Sequence, residues 1–393
     1  MTNAPVIERI ELTAFEIRIE NLASGPSGLG VSYVPGSGTA QLRLAVKVFA
    51  GDGLVGTYVP PRGRTKATIG ACEALAYGLI GKDALQRERH YRALRLATKH
   101  IGEVGIGPLD IALWDLAGKF QGVSITQMLG GARSRLPTYA STMIGDHQAD
   151  GLSSPEAYGD FAETCLALGY RAFKMHGWPE GDPDREIAMI RAVAERVGDR
   201  MTIMYDAACH LKTFADAIKV GRVCDEYDLY WLEDPYADGG VSIHGHKKLK
   251  EHLRTPILIT EHLRNPETTT DLLVAGASDF ARADPDYDGG LTGCLKTAIA
   301  AEALGLDTEV HSCGPAMRHL MAALSRSNYY EMNLVHPRTA NPWSLPVYAD
   351  GYADQLDSID AEGCVPVPQG PGLGVTYDWA AIAAQAVEQR VIK

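Results

Sequence analysis

The chain has 393 residues, of which 46% are hydrophobic, and its 37 basic and 49 acidic residues give a net charge of −12. This length allows two or three domains with a full apolar core. Because no apolar run reaches 18 residues, we expect no membrane span. The acidic balance, without a basic cluster, argues against nucleic-acid binding.

The N-terminal residues and the cysteines indicate a cellular compartment. The first residues lack the basic start and apolar run of a signal peptide. Seven cysteines are scattered without paired spacing, which is typical of reduced thiols. We therefore expect a cytoplasmic protein.

Two strand patterns begin the chain. Residues 5–20 alternate between apolar and polar over much of their length, and residues 40–49 do so almost ideally. Between them, residues 21–39 are rich in Gly, Ser and Pro, which predicts a loop that is either a simple connection or a lid over a distant site. Apolar residues at helical spacing then continue up to Phe120, so we predict a small α+β domain over residues 1–131.

From Leu136 onward, strand and helix signals alternate as in parallel βα units. Seven clear helices separate eight short strand patterns, at residues 137–142, 170–176, 201–206, 229–233, 256–261, 279–284, 307–311 and 329–332. One helix is marked by Asp182 as N-cap, Pro183 in the first turn and Gly198 as its stop. We predict an α/β fold, a (β/α)₈ TIM-type barrel over residues 132–340 with an irregular eighth helix. Residues 341–393 are too long for that helix alone, and we expect them to pack back on the first domain and complete it.

Every predicted barrel strand from the second onward ends on ionisable side chains. These are Lys174, His176, Asp206, Glu233, Glu261, Asp284, His311 and Glu331. The carboxyl ends of the strands form the catalytic face of such a barrel. We therefore expect these side chains to converge at one mouth.

Three consecutive strands contribute the carboxylates Asp206, Glu233 and Glu261, at steps of 27 and 28 residues. A barrel unit takes roughly 30 residues. Hard oxygen ligands, with no cysteine or histidine at the ends of these runs, suit Mg²⁺ better than zinc. The alternative is that the three acids only cap the helices that follow.

The remaining ionisable residues flank this trio. Lys174 and His176 are two apart and point to the same side of their strand, while Asp284 can orient His311 from the neighbouring strand. A divalent cation between two bases suits removal of a proton α to a carboxylate, since the resulting enediolate carries two negative oxygens. Glu331, if burial keeps it protonated, could donate a hydrogen bond to the second oxygen.

Taken together, these motifs resemble the enolase superfamily, and within it the mandelate racemase group, over nearly the whole chain. The resemblance is carried by the helix 111–119, Lys174-Met-His176, Tyr205-Asp206, Glu233-Asp-Pro235, Glu261, Asp284 before Gly289-Gly-Leu-Thr-Gly293, His311 and Glu331. It implies that Asp206, Glu233 and Glu261 bind Mg²⁺. It implies further that Lys174 and His176 serve one face of the substrate, and His311 with Asp284 the other. Loops near residues 20–40 and 50–65 would close over the barrel and choose the substrate.

Two positions depart from the group's pattern. His176 stands where mandelate racemase has a second lysine, and Ala208 stands where many relatives carry Asn or His. A racemase assignment therefore does not transfer, and our leading hypothesis is a hydro-lyase that dehydrates a sugar acid to a 2-keto-3-deoxy acid with Mg²⁺. The alternatives are racemisation or epimerisation α to a carboxylate, and a catalytically silent binding barrel. We expect a small carboxylate as the substrate and a homo-oligomeric protein.

Four further residues have open roles. His210 and His262 follow predicted metal ligands and are either substrate contacts or solvated loop histidines. Trp178 is a candidate for the cavity wall. Cys313, although near His311, is better interpreted as a small buried residue than as a nucleophile.

Overall fold

The computed structural model describes residues 4–24, 30–62 and 66–393. Its strands are β1 Ile7–Ser24, β2 Val31–Ala50, β3 Leu54–Tyr58, β4 Arg135–Thr142, β5 Ala172–His176, β6 Thr202–Asp206, β7 Leu232–Glu233, β8 Ile257–Leu258, β9 Phe280–Ala283, β10 Asp307–Val310, β11 Tyr330–Val335, β12 Cys364–Pro366 and β13 Ala386–Ile392. Its helices are α1 Lys66–Ala76, α2 Arg87–Thr98, α3 Ile106–Gln121, α4 Ile125–Met128, α5 Pro155–Leu168, α6 Pro183–Val197, α7 Phe214–Glu226, α8 Ile243–Lys250, α9 Pro266–Val274, α10 Gly290–Ala303, α11 Pro315–Ala323 and α12 Trp379–Ala384.

The N-terminal domain is built on an antiparallel sheet in the order β13-β1-β2-β3. The strand β13 comes from the C-terminal tail and pairs Ile392 with Ile10 on β1, which confirms that the tail completes this domain. Helix α3 crosses β3 so closely that a Cβ at Gly56 would lie 2.1 Å from the carbonyl oxygen of Ala112. The domain boundaries at residues 131 and 340 stay predictions.

The loop predicted over residues 21–39 is wrong for most of its described length. Strands β1 and β2 continue as a hairpin that pairs Leu22 with Tyr33 and Glu20 with Gly38. Leu22 and Tyr33 are buried and pack with Met143 of the barrel, and this tertiary contact outweighs the turn-like composition. Residues 25–29 lie outside the described part of the chain.

The barrel follows the predicted plan. Its parallel strands run in the order β10-β9-β8-β7-β6-β5-β4-β11. Each of the strands β4 to β10 is followed in the chain by one of the helices α5 to α11. Between β10 and β11 the gap is bridged largely by side chains, since Asn328 donates to Asp307 and Glu309 and the amide of Ser312 donates to Glu331. No helix follows β11 until α12 within residues 336–378, all of which are described, so the irregular eighth unit is confirmed.

The barrel interior is layered because strand side chains alternate with a period of two. A lower layer is apolar and contains Tyr139, Ala172, Met204, Trp231, Leu258 and Phe280. Two residues further along four of these strands stand Lys174, Asp206, Glu233 and Arg282, all buried. The apolar layer thus closes the barrel below, and a charged layer rests on it.

Two further features of the described chain concern its helices and its cysteines. None of its helices combines the length and apolar character needed to cross a bilayer. All seven cysteines are free thiols.

Candidate active site

A cavity of about 230 Å³ opens at the carboxyl ends of the barrel strands. Its lining residues are Gly30, Val31, Arg62, Ile144, His176, Asp206, Ala208, Asp234, Glu261, His262, His311, Asn333, Leu334 and Trp343. Both loop regions expected to close over the barrel therefore contribute, through Gly30, Val31 and Arg62. Residues 63–65 of the second loop lie outside the described chain. The predicted site residues separate into two groups, because four of them line the cavity while Lys174, Glu233, Asp284 and Glu331 are buried beneath or behind it.

Lys174 lies under the cavity in the charged layer. Its Nζ is 2.8 Å from Glu233 Oε2, 3.2 Å from Asp206 Oδ2 and 3.1 Å from Glu331 Oε1. Burial alone would lower the pKa of Lys174, but the surrounding carboxylates outweigh it and hold the pKa well above the ordinary value. Lys174 is therefore held as a buried ammonium that organises the carboxylates, and its role as a base beside His176 stays a prediction.

Arg282 is a member of this layer that the sequence analysis missed. Its guanidinium is 3.0 Å from Glu233 Oε1 and 3.3 Å from Glu331 Oε2, and it donates to the hydroxyl of Tyr139 at 3.1 Å. The signal was present in the sequence, because Arg282 is two residues before Asp284 on β9 and must face the same way.

The surroundings of Glu331 favour its ionised form, whereas a protonated Glu331 that donates a hydrogen bond stays a prediction. Burial raises its pKa, but Lys174, Arg282 and His311 outweigh that effect and hold the pKa well below the ordinary value. Its Oε2 also accepts from the amide of Ser312 at 2.7 Å. We conclude that Glu331 is a carboxylate, which positions the two cations and the end of β10.

Asp206, Glu233 and Glu261 are held at one end of the barrel. Asp206 and Glu233 are paired residues on the adjacent strands β6 and β7, and Glu261 follows β8 by three residues. Asp206 and Glu261 reach the cavity directly, whereas Glu233 is turned toward Lys174 and Trp231, whose indole N–H lies 3.2 Å from Glu233 Oε2.

The charge of the site fits a divalent cation. The side chains that contact one another there include five carboxylates, Asp206, Glu233, Glu261, Asp284 and Glu331, and three permanent cations, Arg62, Lys174 and Arg282. With all five carboxylates ionised, two negative charges are left over, and buried charge is costly unless it is compensated. Burial, together with the charge of Asp206, raises the pKa of Glu233 to about 8 despite Arg282. A hard divalent cation bound by these oxygens would remove that imbalance.

His176 presents one ring nitrogen to the cavity. Its Nδ1 is 2.6 Å from the carbonyl oxygen of Thr142, so Nδ1 must donate and Nε2 is the nitrogen that is free to exchange a proton. Nε2 is 2.9 Å from Asp206 Oδ2, so this nitrogen lies beside a carboxylate of the trio.

His311 is oriented by Asp284 as predicted. Its Nδ1 is 2.9 Å from Asp284 Oδ2, and its Nε2 points toward Glu261 at 3.4 Å. Burial raises the pKa of Asp284, but Arg62 and His311 outweigh burial and hold the pKa below the ordinary value, so the carboxylate is ionised. Burial lowers the pKa of His311 below the ordinary value, and Arg62 adds to this although Glu261 opposes it. These effects favour the neutral ring, and the lone pair lies on Nε2 in the tautomer in which Nδ1 donates to Asp284.

Arg62 links the N-terminal domain to this dyad. Its side chain is 14% exposed, and one terminal nitrogen is 2.8 Å from Asp284 Oδ2 and 2.5 Å from His311 Nδ1. Its guanidinium lies over the rings of Tyr287 and Trp343, with centroids at 5.1 and 4.7 Å. No local pattern in the sequence points to Arg62, which lies in a loop after β3, or to Trp343, which lies in the irregular segment after β11.

Of the residues with open roles, one lines the cavity and two do not. His262 lines the cavity, and its Nε2 is 2.9 Å from Asp234 Oδ2. Burial lowers the pKa of His262, but hydrogen bonds to Asp234 and Cys209 outweigh burial and raise the pKa to about 11. Trp178 is not part of the cavity wall; it is 1% exposed and donates to the carbonyl oxygens of two other residues. Cys313 is fully buried, as expected.

The sequence and the fold both match known proteins. Residues 157–381 match the family model described as enolase C-terminal domain-like, and residues 33–130 match the one described as mandelate racemase/muconate lactonizing enzyme, N-terminal domain. The chain is 26% identical over 359 residues to D-gluconate dehydratase of Thermoproteus tenax, covering 86% of this chain and 69% of that protein. It is 28% identical over 351 residues to D-galactarolactone cycloisomerase of Agrobacterium fabrum (strain C58), covering 85% and 89%.

Among solved structures, a D-glucarate dehydratase from Agrobacterium tumefaciens complexed with magnesium superposes with a TM-score of 0.84. It is 28% identical, and the match covers 98% of this chain and 99% of that one.

Proposed function

This chain belongs to the mandelate racemase/muconate lactonizing enzyme family of the enolase superfamily, and on that premise we propose that it is a Mg²⁺-dependent dehydratase of sugar acids. The two relatives named above are similar along most of this chain and act on sugar acids or their lactones by name. The reaction removes the proton α to the substrate carboxylate and expels the β-hydroxyl as water.

One observation carries the proposal. Two histidines from well-separated strands line the same cavity, and each has its Nδ1 held by the protein, His176 by Thr142 at 2.6 Å and His311 by Asp284 at 2.9 Å. Both therefore offer Nε2 to a substrate between them, beside Asp206 and Glu261. A dehydration needs such a pair, since one group takes a proton and another protonates the leaving hydroxyl.

Asp206, Glu233 and Glu261 would hold Mg²⁺, consistent with the magnesium in the glucarate dehydratase structure. When bound, the cation supplies Lewis-acid stabilisation of the negative charge that develops on the substrate carboxylate. Lys174 and Arg282 hold Glu233 from both of its oxygens, which fixes the carboxylate before substrate arrives.

The two histidines take different roles in this proposal. His311 is neutral because of its burial, so its Nε2 accepts the α-proton, and Asp284 stabilises the imidazolium that forms. His176 takes the second role, because its Nδ1 donates to Thr142 and its Nε2 faces the cavity beside Asp206, where a proton on Nε2 is placed to reach the departing β-hydroxyl. The enol that remains takes a solvent proton at C3 and becomes the 2-keto-3-deoxy acid.

A substrate screen tests the reaction class. Purified protein with Mg²⁺ is incubated with a set of aldonic and aldaric acids, and each reaction is assayed for 2-keto acid. We expect at least one acid to be dehydrated. Conversion of an acid to its α-epimer without keto acid would instead favour the epimerase alternative.

Arg62 should control the pH dependence of the reaction. The neutral form of His311 is the active base, so kcat/KM falls as the pH drops through its pKa. Arg62 lowers that pKa, and replacing its charge in Arg62→Met should raise it. We therefore expect the acidic limb of the kcat/KM profile to move to higher pH in Arg62→Met.

Arg62→Lys is the matched control, because it keeps a positive charge near Asp284 and should keep a profile close to that of the wild type. Superimposable profiles for Arg62→Met and the wild type would contradict the assignment of His311 as the base.

A further inference from the structure

A second group of metal-binding atoms lies at the rim of the cavity, apart from the carboxylate trio. Cys209 Sγ, a carboxylate oxygen of Asp234 and a ring nitrogen of His262 all lie within 4.8 Å of one another. Within residues 4–24, 30–62 and 66–393, no other three His, Cys, Asp or Glu residues meet this criterion.

The position of this group follows from the barrel. Asp234 and His262 each come directly after a carboxylate of the trio, and Cys209 comes three residues after the third, Asp206. The backbone turns sharply at Cys209 and Asp234, with φ of 59° and 41°. Asp234 and His262 both line the cavity, and the side chain of His262 is 38% exposed. A cation could therefore reach these side chains from solvent.

The spacing of the atoms is close to that of a tetrahedral site. Zinc bound at about 2.3 Å to sulfur and about 2.0–2.2 Å to nitrogen and oxygen requires ligand atoms about 3.4–3.6 Å apart. His262 Nε2 and Asp234 Oδ2 are 2.9 Å apart, so only small side-chain shifts are needed. Asp234 Oδ1 is buried and has no hydrogen-bond partner in the described chain, which leaves a carboxylate oxygen available.

The donor set selects a different class of metal from the trio. A thiolate, an imidazole and a carboxylate suit zinc, cobalt and similar cations, whose binding displaces the protons of His262 and Cys209, whereas carboxylates alone suit magnesium. We propose that Cys209, Asp234 and His262 form a second, transition-metal site whose occupation inhibits the enzyme. The inhibition follows from position, because the cation would stand in the wall of the cavity next to Asp206 and Glu261, where it would obstruct the substrate and repel Mg²⁺.

Cobalt gives a direct test that needs no substrate. Co²⁺ is added to the protein in excess Mg²⁺, and the thiolate-to-cobalt charge-transfer absorption is recorded in the near ultraviolet. We expect this band in the wild type and its loss in Cys209→Ser. Cys364→Ser is the control, since Cys364 is also partly exposed but pairs with the first residues of β4, at the opposite end of the barrel; it should keep the band. A wild type without the band, or a band that survives in Cys209→Ser, would overturn the proposal.

Zinc tests the consequence for activity. In excess Mg²⁺ we expect Zn²⁺ to inhibit the wild type. Cys209→Ser should require at least about tenfold more Zn²⁺ for the same inhibition, because losing even a residue that supports a metal ligand by a hydrogen bond costs about 10–100-fold in affinity. The Mg²⁺-supported rate of Cys209→Ser should stay near that of the wild type. Equal sensitivity of the two proteins to Zn²⁺ would show that the inhibition arises elsewhere. Because the cobalt spectrum is independent of turnover, its failure is distinguishable from failure of the proposed function.

Discussion

Removing the divalent cation should abolish the activity, and Glu233→Gln should have the same effect with Mg²⁺ present. This substitution keeps the size of the side chain but removes the charge that balances Lys174, Arg282 and the cation. Lewis-acid stabilisation is worth several kcal/mol, so we expect kcat to fall by at least about 10³-fold. The measurement is the rate of 2-keto acid formation in excess chelator, then after Mg²⁺ is added back, and in the variant.

Glu309→Gln is the matched control for this prediction. Glu309 is also fully buried on a barrel strand, but it bonds Asn328 and does not line the cavity. It should retain most of the wild-type rate. Undiminished activity in excess chelator, or in Glu233→Gln, would mean that the carboxylate trio is not a metal site required for turnover.

The two histidine variants should separate the two halves of the reaction. We expect both His176→Asn and His311→Asn to lose dehydration by at least about 10²-fold, the lower range for general acid–base catalysis. In His176→Asn the base His311 remains, so the α-hydrogen should still exchange with solvent deuterium, although hydroxide departure is blocked. In His311→Asn neither exchange nor dehydration should occur. Proton NMR of the substrate in D₂O measures both processes in one sample.

A buried histidine outside the site provides the control. His246→Asn removes a fully buried side chain of α8, whose Nδ1–H donates to the carbonyl oxygen of Ser242, and it should preserve exchange and dehydration. Exchange that persists in His311→Asn but is lost in His176→Asn would reverse the roles of the two histidines. Full dehydration by both variants would place the catalytic groups elsewhere.

The parts of the fold that follow from local pattern were predictable. The apolar runs that end on Asp206 and Glu233 are strands that end on those same residues, and the capping signals of Asp182 and Pro183 begin α6. These features depend on neighbours in sequence, so composition and periodicity report them. The pairing of Asp284 with His311 was also predictable, because parallel strands place their ends side by side.

What depends on distant contacts was not predictable. Residues 31–39 form part of β2 because Tyr33 is buried against the barrel, although their composition favours a loop. Arg62 and Trp343 reach the cavity from different segments, and nothing near them in sequence indicates it. The environment of Glu331 also depends on distant contacts, since Lys174 and Arg282 lower its pKa from other strands.

The most direct test of the proposed function follows a sugar acid identified in the screen through complete turnover in D₂O with wild-type protein and Mg²⁺. We expect loss of the α-hydrogen and formation of a 2-keto-3-deoxy acid with a solvent-derived deuterium at C3, because the enol is protonated from solvent after the hydroxide leaves. A product that retains the original α-hydrogen would contradict proton abstraction. An inverted α-carbon carrying deuterium, with no keto acid formed, would contradict dehydration.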